Sequence, residues 1–389
     1  MVSPTKKNPP SVKYISRALS ILGLAMVIIA LVFMGNPLAN LNSWALNATA
    51  SPQLSTIVLG FILFILSFIV YITNERNPKK LRHILRYRWL YAMLIPAGVY
   101  YFVFKLLPVL NLRIVFQYYS PTRARNLNVE WLNPLYLNFK EFFTYRDFTM
   151  LLKNTLTLAV LNIVFYFPFP IILALLLNEI KHMKFKRVVQ SVLYLPHFVS
   201  WTVLGSIMLM LLGPSPNGLI NSLIKAAGGE EIPFMMSEIW FRPMYILELM
   251  WKESGWGTII YLAALSGVDE QLYEASVIDG AGRFKQLLHI TLPCILPTII
   301  TLLILRMGSF LDSGFDQIYL MLNSYNRNVA TVFDTYVYDV GLTGTITAPS
   351  GTTNYSYSAT VGVFRSVVSL LLVVGSNALA KLAGEEGVY

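Results

Sequence analysis

The sequence predicts an all-α, polytopic membrane protein with about eight transmembrane helices. Only 13% of its 389 residues are charged, about half of the roughly 25% that soluble domains carry. The mean hydropathy is +0.57, and several apolar stretches approach the length of about 20 residues with which a helix crosses a bilayer. The predicted spans, in chain order, are 17–35, 54–73, 89–110, 152–178, 188–212, 243–265, 292–320 and 359–381.

The first apolar run, residues 17–35, follows several lysines, as the core of a signal peptide would. Its only candidate cleavage site, Ala-Thr-Ala at 48–50, lies too far beyond the run for processing. We therefore interpret the run as a membrane anchor that pairs with the second span in a hairpin. The predicted organisation is this hairpin with its basic linker over residues 1–88, followed by a transmembrane domain over 89–389.

Lysines and arginines predict the orientation of the chain in the membrane. Seventeen of the 30 lie in the amino terminus, the linker, the segments 179–187 and 266–291, and the carboxyl terminus, against eight in the opposite loops. Because cytoplasmic loops carry the excess of basic residues, both termini are predicted to be cytoplasmic. The net charge of +10 is then a topology signal and a means of contacting anionic headgroups of the lipid bilayer, so no nucleic-acid partner is expected.

Between the sixth and seventh spans, the segment 266–291 departs from the apolar character of the chain. Asp269 is a suitable N-cap for a helix through EQLYEASVI, and Gly280 stands where a helix closes with a left-handed residue. Gly282 allows a turn before RFKQLLHI, and Pro293 fits the first turn of the next span. Helices this short need a surface to dock on. Composition alone favours an interfacial hairpin that only links two spans.

The particular residues of this segment point further. Glu-Ala-Ser, three residues, Gly, nine residues, Ile, one residue and Leu-Pro resemble the signature loop of permeases from binding-protein-dependent ABC importers. The matching residues are Glu274, Ala275, Ser276, Gly280, Ile290, Leu292 and Pro293. Ser276 departs from the pattern, which has a second alanine there, but serine is small enough to fit.

The resemblance covers about residues 85–389 and includes YLPHFVSW, WKESGWGTIIYLAALSGVD and GFDQIYLMLN. It is closest to the oligo- and polysaccharide permeases of the maltose-transporter type. It implies a non-enzymatic, multi-pass subunit of an ATP-driven importer in the bacterial inner or plasma membrane. The implied partners are a second, homologous permease, two ATP-binding subunits, an extracellular or periplasmic solute-binding protein and an oligosaccharide. ATP and Mg²⁺ would be used by the ATPase subunits, and this chain would bind no cofactor.

In that family, the signature loop docks in a groove of the ATP-binding subunit. The resemblance implies that Glu274 meets a basic group of that partner, that Ala275 and Ser276 permit close approach, and that Gly280 sets the angle of the loop. Asp279 lies near a helix carboxyl end, where a negative charge opposes the helix dipole. Arg283 is a candidate partner that would neutralise Asp279.

Ionisable residues inside two predicted spans are candidates for the substrate pathway. In ELMWKESGW of the sixth span, Glu248 and Lys252 are spaced for an ion pair on one helix. In RMGSFLDSGFDQ of the seventh, Arg306 has no acid three or four residues away. Arg306 must therefore pair across helices, for instance with Glu253, or face a water-filled path. In the second case, it would favour acidic, uronate-bearing oligosaccharides.

Aromatic faces and converging hydrogen-bonding groups are the usual means of binding sugars. The resemblance to the maltose-type permeases implies that the pathway is lined by Lys252, Glu253, Trp256, Ser309 and Phe310. The residue types and their predicted depth add Asn162, Tyr166, Arg306 and Asp312. Each aromatic residue also fits a role in packing, which is the commoner one in membrane helices.

Three other functions fit parts of the sequence. An integral-membrane enzyme acting on glycans or lipids could use Asp312 and Asp316, one turn apart, as a metal-binding pair. The four histidines follow no ligand spacing, however, so no metal and no catalytic residue is predicted, and His197 is interpreted as a packing residue. A secondary transporter would need an inverted repeat, which the sequence does not show. An ABC permease for a non-sugar solute remains the third alternative. The sequence holds no P-loop, so ATP must be bound by a partner.

Overall fold

The computed structural model describes residues 86–101, 104–105, 107–119, 130–346, 355–384 and 387. The predicted amino-terminal spans 17–35 and 54–73 lie outside the described residues. The regular structure within these ranges is helical, and their one β-type contact is an isolated antiparallel bridge between Gln117 and Trp131. The all-α prediction is therefore confirmed for the described part of the chain.

The helices are numbered here in chain order, and short 3₁₀ and π segments connect several of them. They are α1 (Arg88–Tyr101), α2 (Leu107–Leu110), α3 (Leu137–Thr144), α4 (Asp147–Leu161), α5 (Pro168–Asn178), α6 (Met183–Tyr194), α7 (Trp201–Leu212), α8 (Leu219–Ala226), α9 (Glu238–Leu265), α10 (Glu270–Ile278), α11 (Arg283–Gln286), α12 (Leu292–Gly308), α13 (Phe315–Met321), α14 (Arg327–Ala330), α15 (Phe333–Tyr338) and α16 (Tyr355–Leu382).

Within the described residues, three helical stretches are long and apolar enough to cross a membrane. They are Asp147–Asn178, Arg283–Gly308 and Tyr355–Leu382. The first joins α4 to α5 through a π-type turn at Asn162–Tyr166, and the last is α16. These two stretches contain the predicted spans 152–178 and 359–381, and each begins about one turn earlier than the hydropathy pattern indicates.

The predicted span 188–212 is a bent pair of helices. Met183–Phe198 and Trp201–Leu212 meet at an angle of 100°, so they form either one broken span or a re-entrant loop. The bend follows from local chemistry, because Pro196 lies in the 3₁₀ turn Leu195–Phe198 and cannot continue a helical hydrogen-bond ladder. The hydroxyl of Ser200 then caps α7 by accepting from the backbone N–H of Val203.

The predicted span 292–320 is wrong at its carboxyl end, because the helix stops at Gly308. The next helix, α13, begins only at Phe315. Between them, Gly314 adopts a φ of +78°, a left-handed conformation that glycine takes at little cost. The backbone N–H of Gly314 donates to the carboxylate of Asp312 at 3.1 Å. The break contains the polar residues Ser309, Asp312 and Ser313, and the predicted span was wrongly extended across them.

Two further predicted spans are changed in the structure. The span 243–265 lies within α9, a helix of 28 residues that holds five charged side chains, among them Glu248, Lys252 and Glu253. The span 89–110 begins as the 14-residue helix α1. Its carboxyl part is divided among shorter segments, including α2.

The chain divides into two compact units, Met1–Lys140 with Asn354–Thr360 and Glu141–Thr353 with Val361–Tyr389. In the described part of the first, the side-chain amide of Asn138 donates to the carbonyl of Val115 at 2.9 Å. The second unit is organised around α9. One face of α9 buries Phe241, Met244 and Tyr245 against residues of α4 and α13, and its carboxyl end packs Tyr261 and Leu265 against α5 and α12.

Candidate functional site

The segment between α9 and α12 folds as two short helices joined by a tight turn. The carboxylate of Asp269 caps α10 by accepting from the backbone N–H of Gln271 at 2.9 Å. Gly280 has a φ of +74°, as its residue type and position predict. Its N–H donates to the carbonyl of Val277, and the N–H of Ala281 donates to the carbonyl of Ser276. This pair of hydrogen bonds is a Schellman motif, which ends α10 and turns the chain into α11.

The outer surface of this segment is apolar as well as acidic. The side chain of Ile278 is 87% exposed and that of Phe284 is 72% exposed. Glu274, in the middle of α10, is also exposed. Of the other predicted coupling residues, Ala275, Asp279, Gly280 and Pro293 are exposed, and Ser276, Ile290 and Leu292 are partly buried. Ile278 lies outside the membrane-crossing stretches and Phe284 lies in the first turn of Arg283–Gly308. The exposed apolar side chain of Ile278 therefore indicates a docking surface.

The expected pairing of Arg283 with Asp279 is not what the structure holds. The guanidinium of Arg283 lies 3.2 Å from the carboxylate of Glu179, which follows the carboxyl end of α5. Both side chains are largely exposed, so this ion pair contributes little stability. Its effect is to place the amino terminus of α11 next to the end of α5.

A closed ring of hydrogen bonds joins the two short helices to the start of α12. The side-chain amide of Gln286 donates to the hydroxyl of Ser276 at 2.9 Å, and that hydroxyl donates to the carbonyl of Tyr273 at 2.7 Å. The hydroxyl of Tyr273 lies 2.9 Å from that of Thr291, which in turn lies 3.4 Å from the carbonyl of Gln286. The sequence did not reveal this ring, because its members stand on three separate helical segments.

A second polar site lies at the bend between α6 and α7. The ammonium of Lys252 donates to the carbonyl of His197 at 2.7 Å and lies 3.4 Å from the carboxylate of Glu253. The other oxygen of that carboxylate is 2.8 Å from Nδ1 of His197. The imidazole stacks on the indole of Trp256 with ring centroids 4.7 Å apart. Three predicted pathway residues thus come together, and His197, which was expected only to pack, contacts all three.

The expected ion pair between Glu248 and Lys252 does not form. Glu248 instead accepts from the side-chain amide of Gln317 at 2.9 Å, and the same amide nitrogen is 2.9 Å from the carbonyl of Tyr245. The reason is geometric, since Lys252 turns toward the carbonyl of His197. The carboxylate of Glu248 is therefore buried against an amide of α13 rather than against a cation.

Asn162, another predicted pathway residue, lies in a buried network centred on Tyr245. The amide of Asn162 donates to the hydroxyl of Tyr245 at 3.0 Å, and that hydroxyl donates to the carbonyl of Ser313 at 2.9 Å. The network joins the π-type turn after α4, helix α9 and the break before α13. Tyr245 and Gln317 were missed at the sequence level, because buried tyrosines and glutamines look like packing residues until their partners are known.

Arg306 and its neighbours form a third group. The guanidinium of Arg306 lies 5.4 Å from the ring centroid of Tyr166, a cation–π distance, and within the described residues it has no carboxylate partner. The expected pairing with Glu253 is absent, because that carboxylate contacts His197 and Lys252. The hydroxyl of Ser309 donates to the carbonyl of Arg306 at 3.2 Å.

Asp312 stands apart from these groups. Its carboxylate lies 3.3 Å from the guanidinium of Arg365 on α16, which also contacts Asp334 on α15. Asp312 therefore helps to fasten the break after α12 to the last span. Phe310 is half-buried in the same break. In the described part of the chain, no three His, Cys, Asp or Glu side chains are grouped for a metal ion.

Comparison with known proteins gives consistent results. Residues 166–383 match the family described as binding-protein-dependent transport system inner membrane component. The chain is 50% identical to the protein LplB of Bacillus subtilis (strain 168) over 78% of this chain and 92% of that protein. It is 48% identical to the polygalacturonan/rhamnogalacturonan transport system permease protein YteP of the same strain, over 81% of this chain and 95% of that protein.

A search of solved structures also finds a transporter chain with a similar fold. A chain of a bacterial alginate ABC transporter, crystallised with an alginate pentasaccharide-bound periplasmic protein, superposes with a TM-score of 0.68 at 34% identity, covering 79% of this chain and 99% of that one. The family match extends over the two helical segments with the hydrogen-bond ring and over the polar site at the bend. This chain therefore belongs to the family of binding-protein-dependent transport system inner membrane components, and it is a transporter permease rather than an enzyme.

Proposed function

We propose that this chain is a membrane-spanning permease subunit of an ATP-driven importer, which translocates an oligosaccharide or polysaccharide fragment delivered by a solute-binding protein. One observation supports the proposed coupling to ATP hydrolysis. The segment from α10 to α11 is a compact helix–turn–helix with uncovered apolar side chains, among them Ile278 and Phe284. Such a surface needs a partner. An ATP-binding subunit is the partner that suits the signature residues of this segment.

The proposed assembly has four kinds of component. A second, homologous permease completes the pathway, two ATP-binding subunits dock beneath, and an extracellular or periplasmic solute-binding protein docks on the outer side. ATP and Mg²⁺ belong to the ATPase subunits. The chain crosses the inner membrane eight times with both termini in the cytoplasm. Residues 1–88 form the amino-terminal hairpin and linker, and residues 89–389 form the permease domain, whose coupling segment is 266–291.

The proposed substrate is an acidic saccharide. Arg306 supports this choice, because its guanidinium is half-buried over Tyr166 without a carboxylate partner among the described residues. An unpaired cation in a membrane helix bundle attracts an anionic ligand. The solved relative gives independent support, since its transporter is described as importing the acidic polysaccharide alginate. The cluster of Lys252, Glu253 and Trp256, together with Asn162, Ser309, Phe310 and Asp312, supplies the remaining candidate contacts.

Uptake by the reconstituted importer tests this proposal. Proteoliposomes that contain the complete complex and internal ATP are supplied with its binding protein and with oligogalacturonides or neutral arabino-oligosaccharides of equal length. We expect ATP-dependent uptake of the acidic series at least about tenfold above the neutral one. Arg306→Gln should remove most of this preference, and Arg306→Lys should keep it.

The outcomes separate the parts of the proposal. Equal or better uptake of the neutral series would refute the acidic substrate but not the importer. Uptake of neither series, together with transport of a non-sugar solute, would refute the saccharide substrate. Uptake that proceeds without ATP would refute the importer mechanism itself.

A further inference from the structure

We propose that Ser276 and Gln286 are positioning residues, whose hydrogen bond makes the coupling segment and α12 move as one rigid body. This inference rests on the proposed function, in which a docked ATPase subunit moves that segment. A loose joint would absorb the movement, whereas a fastened one passes it to the span. The contact between the two side chains links α10 to α11, so their role in this proposal is to hold the segment at one angle.

The directions of the hydrogen bonds are mutually consistent around the ring. Ser276 uses its single proton on the carbonyl of Tyr273, so its oxygen is free to accept from the amide of Gln286. Thr291 donates to the carbonyl of Gln286, so the hydroxyl of Tyr273 must be the donor to Thr291. The hydroxyls of Ser276 and Thr291 each accept and donate, an arrangement in which neighbouring hydrogen bonds strengthen one another.

The joint between α10 and the rest of the segment is the turn at Gly280–Gly282, which is formed by two backbone hydrogen bonds. A Cβ atom added at Gly280 or Gly282 would meet nothing within 4 Å, so there is open space beside both glycines. Helix α11 has only four residues, and the π-type segment Leu287–Thr291 follows it. This π-type segment continues into α12, so that Arg283–Gly308 is one helical stretch. The ring of hydrogen bonds therefore ties α10, which lies before the turn, to that stretch.

The fastening depends on a residue that departs from the signature pattern. The family signature has alanine where this chain has Ser276. An alanine would leave the amide of Gln286 without this acceptor and would open the ring on one side. Serine therefore adds a link between α10 and α11 that a strict signature loop does not provide.

The test measures how much substrate is transported for each ATP hydrolysed by the complete importer in proteoliposomes, with oligogalacturonides and the binding protein present. We expect Ser276→Ala and Gln286→Ala each to lower this ratio about fivefold, as the loss of one net hydrogen bond would. Ser276→Thr retains the hydroxyl and should retain the ratio. Ser191→Ala is the matched control, because the hydroxyl of Ser191 also donates to a carbonyl of its own helix, that of Arg187.

A double variant distinguishes positioning from a general surface effect. If the two side chains act through their shared hydrogen bond, Ser276→Ala/Gln286→Ala should lower the ratio no further than either single change. Amide hydrogen exchange over residues 279–291 in the assembled importer should become about fivefold faster in all three variants. This measurement does not depend on transport, so it remains decisive if a variant transports poorly.

Several results would overturn the inference. One such result is that both single variants keep the wild-type ratio of substrate transported to ATP hydrolysed and the wild-type rate of amide hydrogen exchange. Another is that the double variant lowers the ratio by the combined effect of the two single changes. In these cases, the wild-type importer would still transport with ATP, so the proposed function would stand. If the wild-type complex shows no ATP-dependent uptake, then the proposed function fails and the inference fails with it.

Discussion

The ammonium nitrogen of Lys252 lies 2.7 Å from the carbonyl oxygen of His197. This bond joins the middle of α9 to the bend between α6 and α7, where the carbonyl groups of a broken helix need donors. The carboxylate of Glu253 binds both partners, since it lies near the ammonium of Lys252 and the imidazole of His197. A charged residue of α9 thus fastens a second, broken helix.

Replacing Lys252 with methionine is expected to destabilise the assembled importer. The side chain of Lys252 is buried, so its loss leaves the carbonyl of His197 without this donor in a partly buried site. We expect the free energy of unfolding to fall by about 2 kcal/mol, measured by thermal unfolding of the purified complex in detergent. Lys225→Met is the control, because Lys225 is 64% exposed and its ion pair with Glu231 should contribute little. Equal losses in the two variants would contradict the role of Lys252.

A neighbouring glycine makes the same packing possible. A Cβ atom at Gly255 would stand 2.0 Å from the carbonyl oxygen of Leu193, and backbone at that distance cannot move aside without separating α6 from α9. Gly255→Ala should therefore cost about 3 kcal/mol and reduce the yield of assembled complex in membranes. Gly375→Ala on α16 is the matched control, because its new methyl group meets nothing within 4 Å. An assembled yield of Gly255→Ala equal to that of the control would disprove the close contact.

These two contacts illustrate what the sequence could and could not predict. Hydropathy located α4–α5 and α16, because a long run of apolar residues with few charges is stable as a helix across the bilayer. The residue types of the segment 266–291 predicted its two short helices, and the positive φ of Gly280 followed from local chemistry. The partner of Lys252 was not predictable, because the i,i+4 rule considers one helix and the true partner stands 55 residues away.

The breaks in the spans were missed for a different reason. Pro196 is a recognisable helix breaker, yet it lies inside an apolar run and hydropathy reads through it. Gly314, whose φ of +78° separates α12 from α13, stands instead in the partly polar stretch SFLDSG, which the predicted span wrongly included. His197 could have been predicted as a site residue, since an ionisable residue inside a membrane span is a functional candidate by default.

Glu248 offers a test of whether a buried carboxyl group needs its charge. It accepts a hydrogen bond from Gln317, and it has no cationic partner within the described residues. An amide can accept the same bond, so we expect Glu248→Gln to unfold within about 0.5 kcal/mol of wild type. Glu248→Leu leaves the amide of Gln317 with one acceptor fewer and should cost about 1–3 kcal/mol. Thermal unfolding of the purified importer compares the two variants. If Glu248→Gln lowers the free energy of unfolding as much as Glu248→Leu does, the negative charge of Glu248 is required.

The coupling segment gives the most direct test of how ATP hydrolysis reaches the membrane. Gly280 has a φ of +74°, which proline cannot adopt, and its N–H donates to the carbonyl of Val277. We therefore expect Gly280→Pro to remove ATP-coupled uptake while the chain still inserts. Glu274→Gln, which removes one of the two exposed carboxylates of α10, should lower uptake per ATP hydrolysed. Gly282→Ala should be much milder, because Gly282 has a φ of −72° that any residue accepts. Uptake and ATP hydrolysis measured in the same proteoliposomes decide the matter, since wild-type uptake by Gly280→Pro would mean that this turn does not transmit the ATPase movement.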